Sequence, residues 1–284
     1  RAAALALRYG GGFSASYRAQ YGAREAALDI DNLRRLTAHD EATGGDRSRS
    51  ARLYHLDSDP QDRMRLKVYQ HHGSLPLSDA VPELENFGFR VLEEIPNPVE
   101  GGDLGTVHDF LLETLPGIES STVLERAQTI ESAIAAVLND QGEDDAFNRL
   151  VVAADMGARE AEWLRAIYRY LRQTGMGFTI YTVVDALARA PQVTRALIAL
   201  FTAMHDPAFD GDREQAVKDA QGSIKSGLAK VSAINDDRLL RLYRGVIEAM
   251  LRTNAFAPDA EALAFKMDSA LVPGLPLPLP WREI

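Results

Sequence analysis

The sequence predicts two successive folds. The first is an α+β unit, a four-stranded antiparallel sheet with helices on one face; the second is an all-α helical bundle. Three observations carry this reading. Apolar residues alternate with polar ones in short runs up to about residue 112, the pattern of half-buried strands. From about residue 142 a helical period replaces that alternation. Near the end, Pro273, Pro276, Pro278 and Pro280 interrupt any regular element. The expected divisions are a helical lead-in and loop at 1–49, the α+β domain at 50–142, the helical domain at 143–257 and a proline-rich connector at 258–284.

Ala2 to Arg8 read as the tail of a helix. Ala26, Leu28, Ile30, Leu33 and Leu36 predict another over 22–38, with a polar, Gly-containing loop at 39–50. Arg52 to Leu56 suggest a first strand. Met64, Leu66 and Val68 alternate with Arg65, Lys67 and Tyr69 in a second. Ser78 stands where an N-cap is wanted, and Asp79 suits the positive end of the helix dipole. That helix runs to about Phe87, with Gly88 as its left-handed stop. Phe89, Val91 and Ile95 resume strand character, and Pro96-Asn97-Pro98 with Gly101-Gly102 form a loop. Thr106 to Leu112 make a fourth strand, and Ser120 or Ser121 opens a longer helix carrying Val123, Ile130, Ile134 and Val137 on one side. The order strand, strand, helix, strand, strand, helix is a βαββαβ unit with its last strand moved to the front. A ferredoxin-like or ACT-like sheet follows, its earliest strand at an edge. Helices are then expected at 144–154, 157–173, 179–189, 191–205, 212–233 and 236–254, with Asp144, Asp145, Asp236 and Asp237 at helix starts and Pro191 in a first turn. Leu263 to Met267 read as a strand before the extended connector.

The composition restricts function. A net charge of −10 repels phosphate backbones and argues against a general nucleic-acid role. With no cysteine there is no disulfide, thiolate site or cysteine nucleophile. No run approaches the ~20 apolar residues of a membrane span. Neither terminus has the layout of a natural chain end, and the sequence reads as a piece of a longer polypeptide.

Chemistry-bearing motifs are sparse. His39, His55, His71, His72, His108 and His205 lack metal-ligand spacing, and a strand would point His71 and His72 to opposite faces. Gly10-Gly11-Gly12 follow a helix, and Gly175-Met176-Gly177 lack the third glycine of a dinucleotide fingerprint, so both read as turns. Asp206 to Asp212 resemble a calcium loop, but Ala208 stands at a ligand position and Val217 replaces the closing Glu. Arg165, Arg169 and Arg172 form one basic stripe and Arg238, Arg241 and Arg244 another. Each is either an anion or docking face, or a solvated face paired with Glu160, Glu162 or Glu248. No catalytic, cofactor-binding or metal residue is assigned.

Several phrases carry a family resemblance. They include Arg65-Leu66-Lys67-Val68-Tyr69, then Pro76-Leu77-Ser78-Asp79, and Val81 through Val91. His108-Asp109-Phe110, Phe147-Asn148-Arg149-Leu150-Val151 and Tyr170-Leu171-Arg172-Gln173-Thr174-Gly175 follow, then Asp237-Arg238-Leu239-Leu240-Arg241, Leu251-Arg252-Thr253-Asn254 and Phe265-Lys266-Met267-Asp268. In this order they resemble an internal stretch of the large bacterial NAD-dependent glutamate dehydrogenases, upstream of the catalytic core. The resemblance implies a regulatory and assembly segment, with an ACT-like domain, a helical motif and a lead-in to the core. It implies NAD for the whole enzyme and no cofactor here. The implied partners are the catalytic domain of the same polypeptide and further copies of the full subunit, in the cytoplasm, with neither nucleic acid nor membrane. The family's catalytic lysine and nucleotide-binding glycines are expected beyond Ile284, leaving the isolated chain inactive. In ACT domains an amino-acid effector often sits between the first strand and helix; here that implies Gly73, Ser74 and Ser78, where helix-start amides could hold a carboxylate. The alternative is a stand-alone ACT-like effector-sensing module. The Arg stripes and the apolar faces at 191–205 and 239–251 are the surfaces expected to dock.

Overall fold

A computed structural model describes residues 9, 11–44, 48–73, 75–100, 104–258, 260 and 262–284. The chain divides into two compact units, Arg1–Asp145 and Ala146–Ile284. The expectations for Ala2 to Arg8, Gly10, Ser74 and Gly101-Gly102 lie outside the described residues.

In the first unit α1 (Ala15–Gln20) begins where the Ser14 hydroxyl accepts the Tyr17 N–H at 3.1 Å. α2 (Ala23–Thr43) outruns its predicted end, and the turn comes only at Gly44, whose φ of 71° closes the helix. The loop expected from residue 39 is therefore shorter. β1 (Arg49–Tyr54), β2 (Arg63–Gln70), α3 (Leu77–Asn86), β3 (Arg90–Pro98) and β4 (Thr106–Glu113) follow, then α4 (Ser120–Leu124) and α5 (Ala127–Leu138). The sheet order is β1-β2-β4-β3, every neighbour antiparallel. This is the permuted arrangement read from the sequence: β2–α3–β3 leaves a gap that β4 fills, and β1 takes the edge. α3 lies against β3 and α5, and α5 packs along β1.

Three local expectations need correction. α3 begins at Leu77 with Pro76 at its N-cap, so Ser78 is a first-turn residue; its hydroxyl donates to Asp79 Oδ1 at 3.0 Å. Proline fixes φ at −64° just ahead of the helix and sets the start two residues early. Pro96-Asn97-Pro98 are strand: Asn97 pairs with Val107 and Pro98 with Thr106. An edge strand turns alternate N–H groups outward, so prolines two apart cost it no ladder bond. The helix from Ser120 breaks at Arg126, whose φ of −114° separates α4 from α5.

The opposite face of the sheet is also covered. α2 lies against β1 and β2, and Leu33 and Leu36 share a core with Tyr17, Tyr69 and Val107. β2 is thus buried on both faces at Leu66, Lys67, Val68 and Tyr69, not half-buried. The free edge of β1 is occupied by side chains of α5. Glu131 accepts the Leu53 N–H at 2.7 Å, and Asn139 accepts the Arg49 N–H at 2.8 Å while donating to the Arg49 carbonyl.

The second unit opens with a 3₁₀ turn (Ala146–Asn148) and α6 (Arg149–Ala153). α7 (Ala158–Gln173), α8 (Ile180–Arg189), α9 (Pro191–His205), α10 (Arg213–Leu228) and α11 (Ile234–Ala249) follow. Pro191 is the first residue of α9, as expected, and the Asp212 carboxylate caps α10 by accepting the Gln215 N–H at 3.0 Å. Two corrections concern the end. α11 stops at Ala249, and the next four residues form β5 (Met250–Thr253) against β6 (Phe265–Asp268). The proline-rich stretch returns to pair as β7 (Arg282–Glu283), giving a sheet of order β5-β6-β7. Prolines bar their own positions from a ladder but not Arg282, whose guanidinium also reaches Asp268 at 3.0 Å.

Candidate functional site

A cluster of buried and partly buried ionisable groups lies between α1–α2 and the sheet of the first unit. Lys67 sits mid-strand in β2 and is 0% exposed. Its ammonium donates to Glu25 Oε1 at 2.8 Å and to Asp29 Oδ2 at 2.6 Å, both carboxylates rising from α2. The Tyr69 hydroxyl donates to Asp29 Oδ1 at 2.7 Å, and Tyr17 donates to the other oxygen. Arg52 on β1 donates to the Tyr69 hydroxyl at 3.0 Å and pairs with Glu25. Across the ladder, the residue opposite Lys67 is Asp109 on β4, which accepts from Tyr54 at 2.5 Å and from Tyr21. Arg65, bonded to Asp59 at 2.8 Å, lies 4.0 Å from Asp109. The Lys67 ammonium also faces the rings of Tyr21 at 4.2 Å and Tyr54 at 5.1 Å.

The electrostatics follow from burial and pairing. Burial alone would raise the Glu25 carboxyl, but Lys67 and Arg52 together hold it below its ordinary value. Asp109 is raised, because burial outweighs the hydrogen bonds from Tyr21 and Tyr54. The hydroxyls of Tyr17, Tyr21, Tyr54 and Tyr69 are pushed up, chiefly by burial and next by the carboxylates they serve, so all remain donors. Apart from Asp109 Oδ1, which is buried without a hydrogen-bond partner, the donors and acceptors under α2 satisfy one another, an arrangement suited to fixing helix on sheet. Local pattern could not reveal it: an alternating strand assigns Lys67 to solvent, and only the arrival of α2 buries it.

The residues singled out in the sequence are scattered. Gly73 is exposed with φ 84°, Ser74 lies outside the described residues, and Ser78 is exposed in the first turn of α3. His71 and His72 lie past the end of β2, so their rings are not opposed across a strand; they meet at 3.8 Å. His108 bonds Glu94 at 2.8 Å, His55 bonds the Pro60 carbonyl at 3.2 Å, and burial lowers His205. Among the described residues no group of three or more His, Asp or Glu could hold a metal ion. The glycine clusters do not fit a dinucleotide. A Cβ on Gly12 would meet the Glu100 carbonyl at 2.5 Å, so that close approach serves the protein's own backbone. Gly175, at φ 96°, ends α7 with the Met176 N–H returning to the Leu171 carbonyl at 3.0 Å. In the acidic loop, Asp206 accepts the Ala208 N–H and Asp212 caps α10.

The basic stripes divide. Arg165 is 3% exposed and donates to Asn148 Oδ1 at 2.9 Å, an internal tie and not part of a surface. Arg172 reaches the carbonyls of Met176 at 3.3 Å and Phe178 at 3.5 Å. Arg241 pairs with Asp237 at 2.8 Å and Arg244 with Glu248 at 3.0 Å, the helical-spacing pairs of a solvated face. The apolar faces expected to dock are turned inward: Leu197, Phe201, Leu240 and Tyr243 are all 0% exposed within one core. In that core the Tyr243 hydroxyl donates to the Leu164 carbonyl at 3.1 Å; at its surface the largely exposed Arg189 grips Asp236 with two bonds of 2.9 and 3.0 Å.

A permuted ACT-type sheet clamped to a helical lead-in, followed by a helical unit, defines a class of domain assembly more than an active site. Comparison with known families gives the class its place. The glutamate dehydrogenase ACT3 domain matches residues 49–126, helical motif 2 matches 1–36 and helical motif 3 matches 142–207. The catalytic domain of bacterial NAD-glutamate dehydrogenase matches 223–284. The NAD-specific glutamate dehydrogenase of Halomonas elongata is 35% identical over 286 residues, covering 99% of this chain and 17% of its own length. That of Pseudomonas aeruginosa is 31% identical over 283 residues, covering 96% and 17%. That of Mycobacterium tuberculosis is 31% identical over 294 residues, covering 98% and 17%. The chain belongs with the large NAD-specific glutamate dehydrogenases and corresponds to an internal segment of them.

Proposed function

We propose that this chain is the non-catalytic regulatory and assembly segment of an NAD-dependent glutamate dehydrogenase. The whole subunit would convert L-glutamate, NAD⁺ and water to 2-oxoglutarate, ammonia and NADH, acting as a homo-oligomer in the cytoplasm. The observation that carries this reading is the shared core of the second unit. Phe147, Leu164 and Phe201, from the helical-motif match, pack in one cluster with Leu240, Tyr243 and Met267, from the catalytic-domain match. A motif that completes the core of the next domain's first elements acts as structural support for that domain. The clamp of Lys67 on Asp29 does the same for the lead-in helix and the ACT-type sheet. Within this reading, Gly73 to Ser78 is where an amino-acid effector would be sought.

The test has two arms. The 284-residue chain, given glutamate and NAD⁺, should produce no NADH by absorbance. In the whole subunit, Leu240→Asp should lower both activity and the assembled fraction on sedimentation. NADH formation by the isolated chain, or full activity of the Leu240→Asp subunit, would refute the reading.

A further inference from the structure

The second unit holds a cleft of about 340 Å³, at the small end of ligand-sized cavities. Its apolar side chains are Leu171 from α7, Met176 and Phe178 beyond the α7 stop, Leu242 from α11, and Pro273; Thr174 and the glycines at 175, 177 and 274 complete the lining. One charged side chain lines it, Arg238. Arg238 lies one helical turn before Leu242 on the same face of α11. Its guanidinium has no ion pair or hydrogen bond among the described residues, whereas its stripe partners Arg241 and Arg244 are paired along the helix. Both rims are held in place. Arg172 pins one through the Met176 and Phe178 carbonyls. The other depends on Gly245, one turn beyond Leu242: a Cβ there would fall on Pro273 Cγ. Gly177 and Gly274 have nothing within 4 Å of an added Cβ, so the mouth is open.

We infer that this cleft binds a small organic carboxylate with a compact apolar body, its anionic end on Arg238 and its body on Leu171, Phe178, Leu242 and Pro273. A guanidinium presents paired N–H donors that match a carboxylate, and an apolar floor rewards a hydrocarbon body more than a bare inorganic anion. No acidic side chain lines the cleft, so an α-ammonium group finds no counter-charge; a carboxylic or 2-oxo acid fits better than the corresponding amino acid. The site joins the helical-motif match to the catalytic-domain match, which suits an effector acting between them. The binding claim stands independently of the activity of the whole subunit.

The experiment is a ligand-detected NMR titration of the full 284-residue chain with phenylacetate. 2-Phenylethanol serves as the uncharged analogue and phenylalanine as the zwitterion. Phenylacetate should saturate with a Kd of about 1 mM, and R238Q should weaken it at least ~10-fold without lowering the melting temperature. G245A, which must displace the Pro273 rim, should also weaken binding; if it fails to fold, R238Q alone decides. Both control compounds should bind at least several-fold more weakly. Unchanged affinity in R238Q, or no saturation by about 10 mM, would overturn the site. Equal binding of 2-phenylethanol would overturn the carboxylate assignment, and equal binding of phenylalanine the exclusion of amino acids.

Discussion

In the first unit, α2 meets its sheet through Glu25, Asp29, Lys67, Tyr17 and Tyr69, a hydrogen-bonded set with an ammonium at its centre. In the second, α11 meets α7 and α9 through Leu239, Leu240, Val246 and Ile247 against Leu164, Leu197 and Phe201, with Tyr243 adding one buried hydrogen bond. The two joints differ in what they specify. An apolar interface is stable in several neighbouring registers, because hydrophobic attraction has no direction. A buried lysine with two carboxylates and flanking tyrosines is satisfied in one register only, at the cost of desolvating three charges. The first joint gains uniqueness, and the second gains depth of stability.

The comparison can be broken most forcefully at Lys67. Lys67→Met leaves the fully buried Asp29 without its closest cation and the partly buried Glu25 with Arg52 alone, and should cost about 3–5 kcal/mol in chemical denaturation. Phe201→Ala should cost a similar ~3–5 kcal/mol through the cavity it leaves. pH separates the two variants. The folded pKa of Glu25 is depressed, so its contribution is present above the unfolded carboxyl range and is lost as pH falls through its folded value. The deficit of Lys67→Met should therefore shrink in acid, while that of Phe201→Ala should not follow this titration. Equal pH profiles would mean the first joint is not held by charge.

Gly245→Ala should come next, at about 1–3 kcal/mol, because the added methyl must displace Pro273. Tyr243→Phe should cost only ~1 kcal/mol, since it removes a single neutral hydrogen bond from an otherwise apolar interface. The smallest expected effect is a gain. Burial, with Asp144 nearby, raises Glu83 to about 6. A raised carboxyl favours the fold below its unfolded pKa and loses that contribution as pH rises through about 6. Glu83→Gln should therefore stabilise the chain at neutral pH by about 1 kcal/mol or less, after allowing for solvent screening, and should not stabilise it in acid. Melting curves across pH would check this.

Much of the architecture was legible because it is local. Met64, Leu66 and Val68 announce β2, Gly88 announces the end of α3, and the order of elements implies the permuted sheet with β1 at its edge. What escaped depends on distant chain. Lys67 looks like a solvent-facing residue until α2 covers it. Pro96 and Pro98 look like a loop until β3 proves to be an edge strand. Arg282 and Glu283 look like an extended tail until β6 offers a ladder. The cleft at Arg238 was half legible: the stripe drew attention, but spacing could not tell which arginine lacks a partner.

The shared core of the second unit is the claim on which the account rests, and native-state hydrogen exchange of the whole chain tests it most directly. If Phe147, Leu164 and Phe201 belong to one core with Leu240, Tyr243 and Met267, the slowest amides of α7, α9 and α11 should open with a common free energy and fall together in Phe201→Ala. Opening of α7 and α9 while α11, β5 and β6 stay protected would show two separate bodies, and the supporting role proposed for the helices would fail.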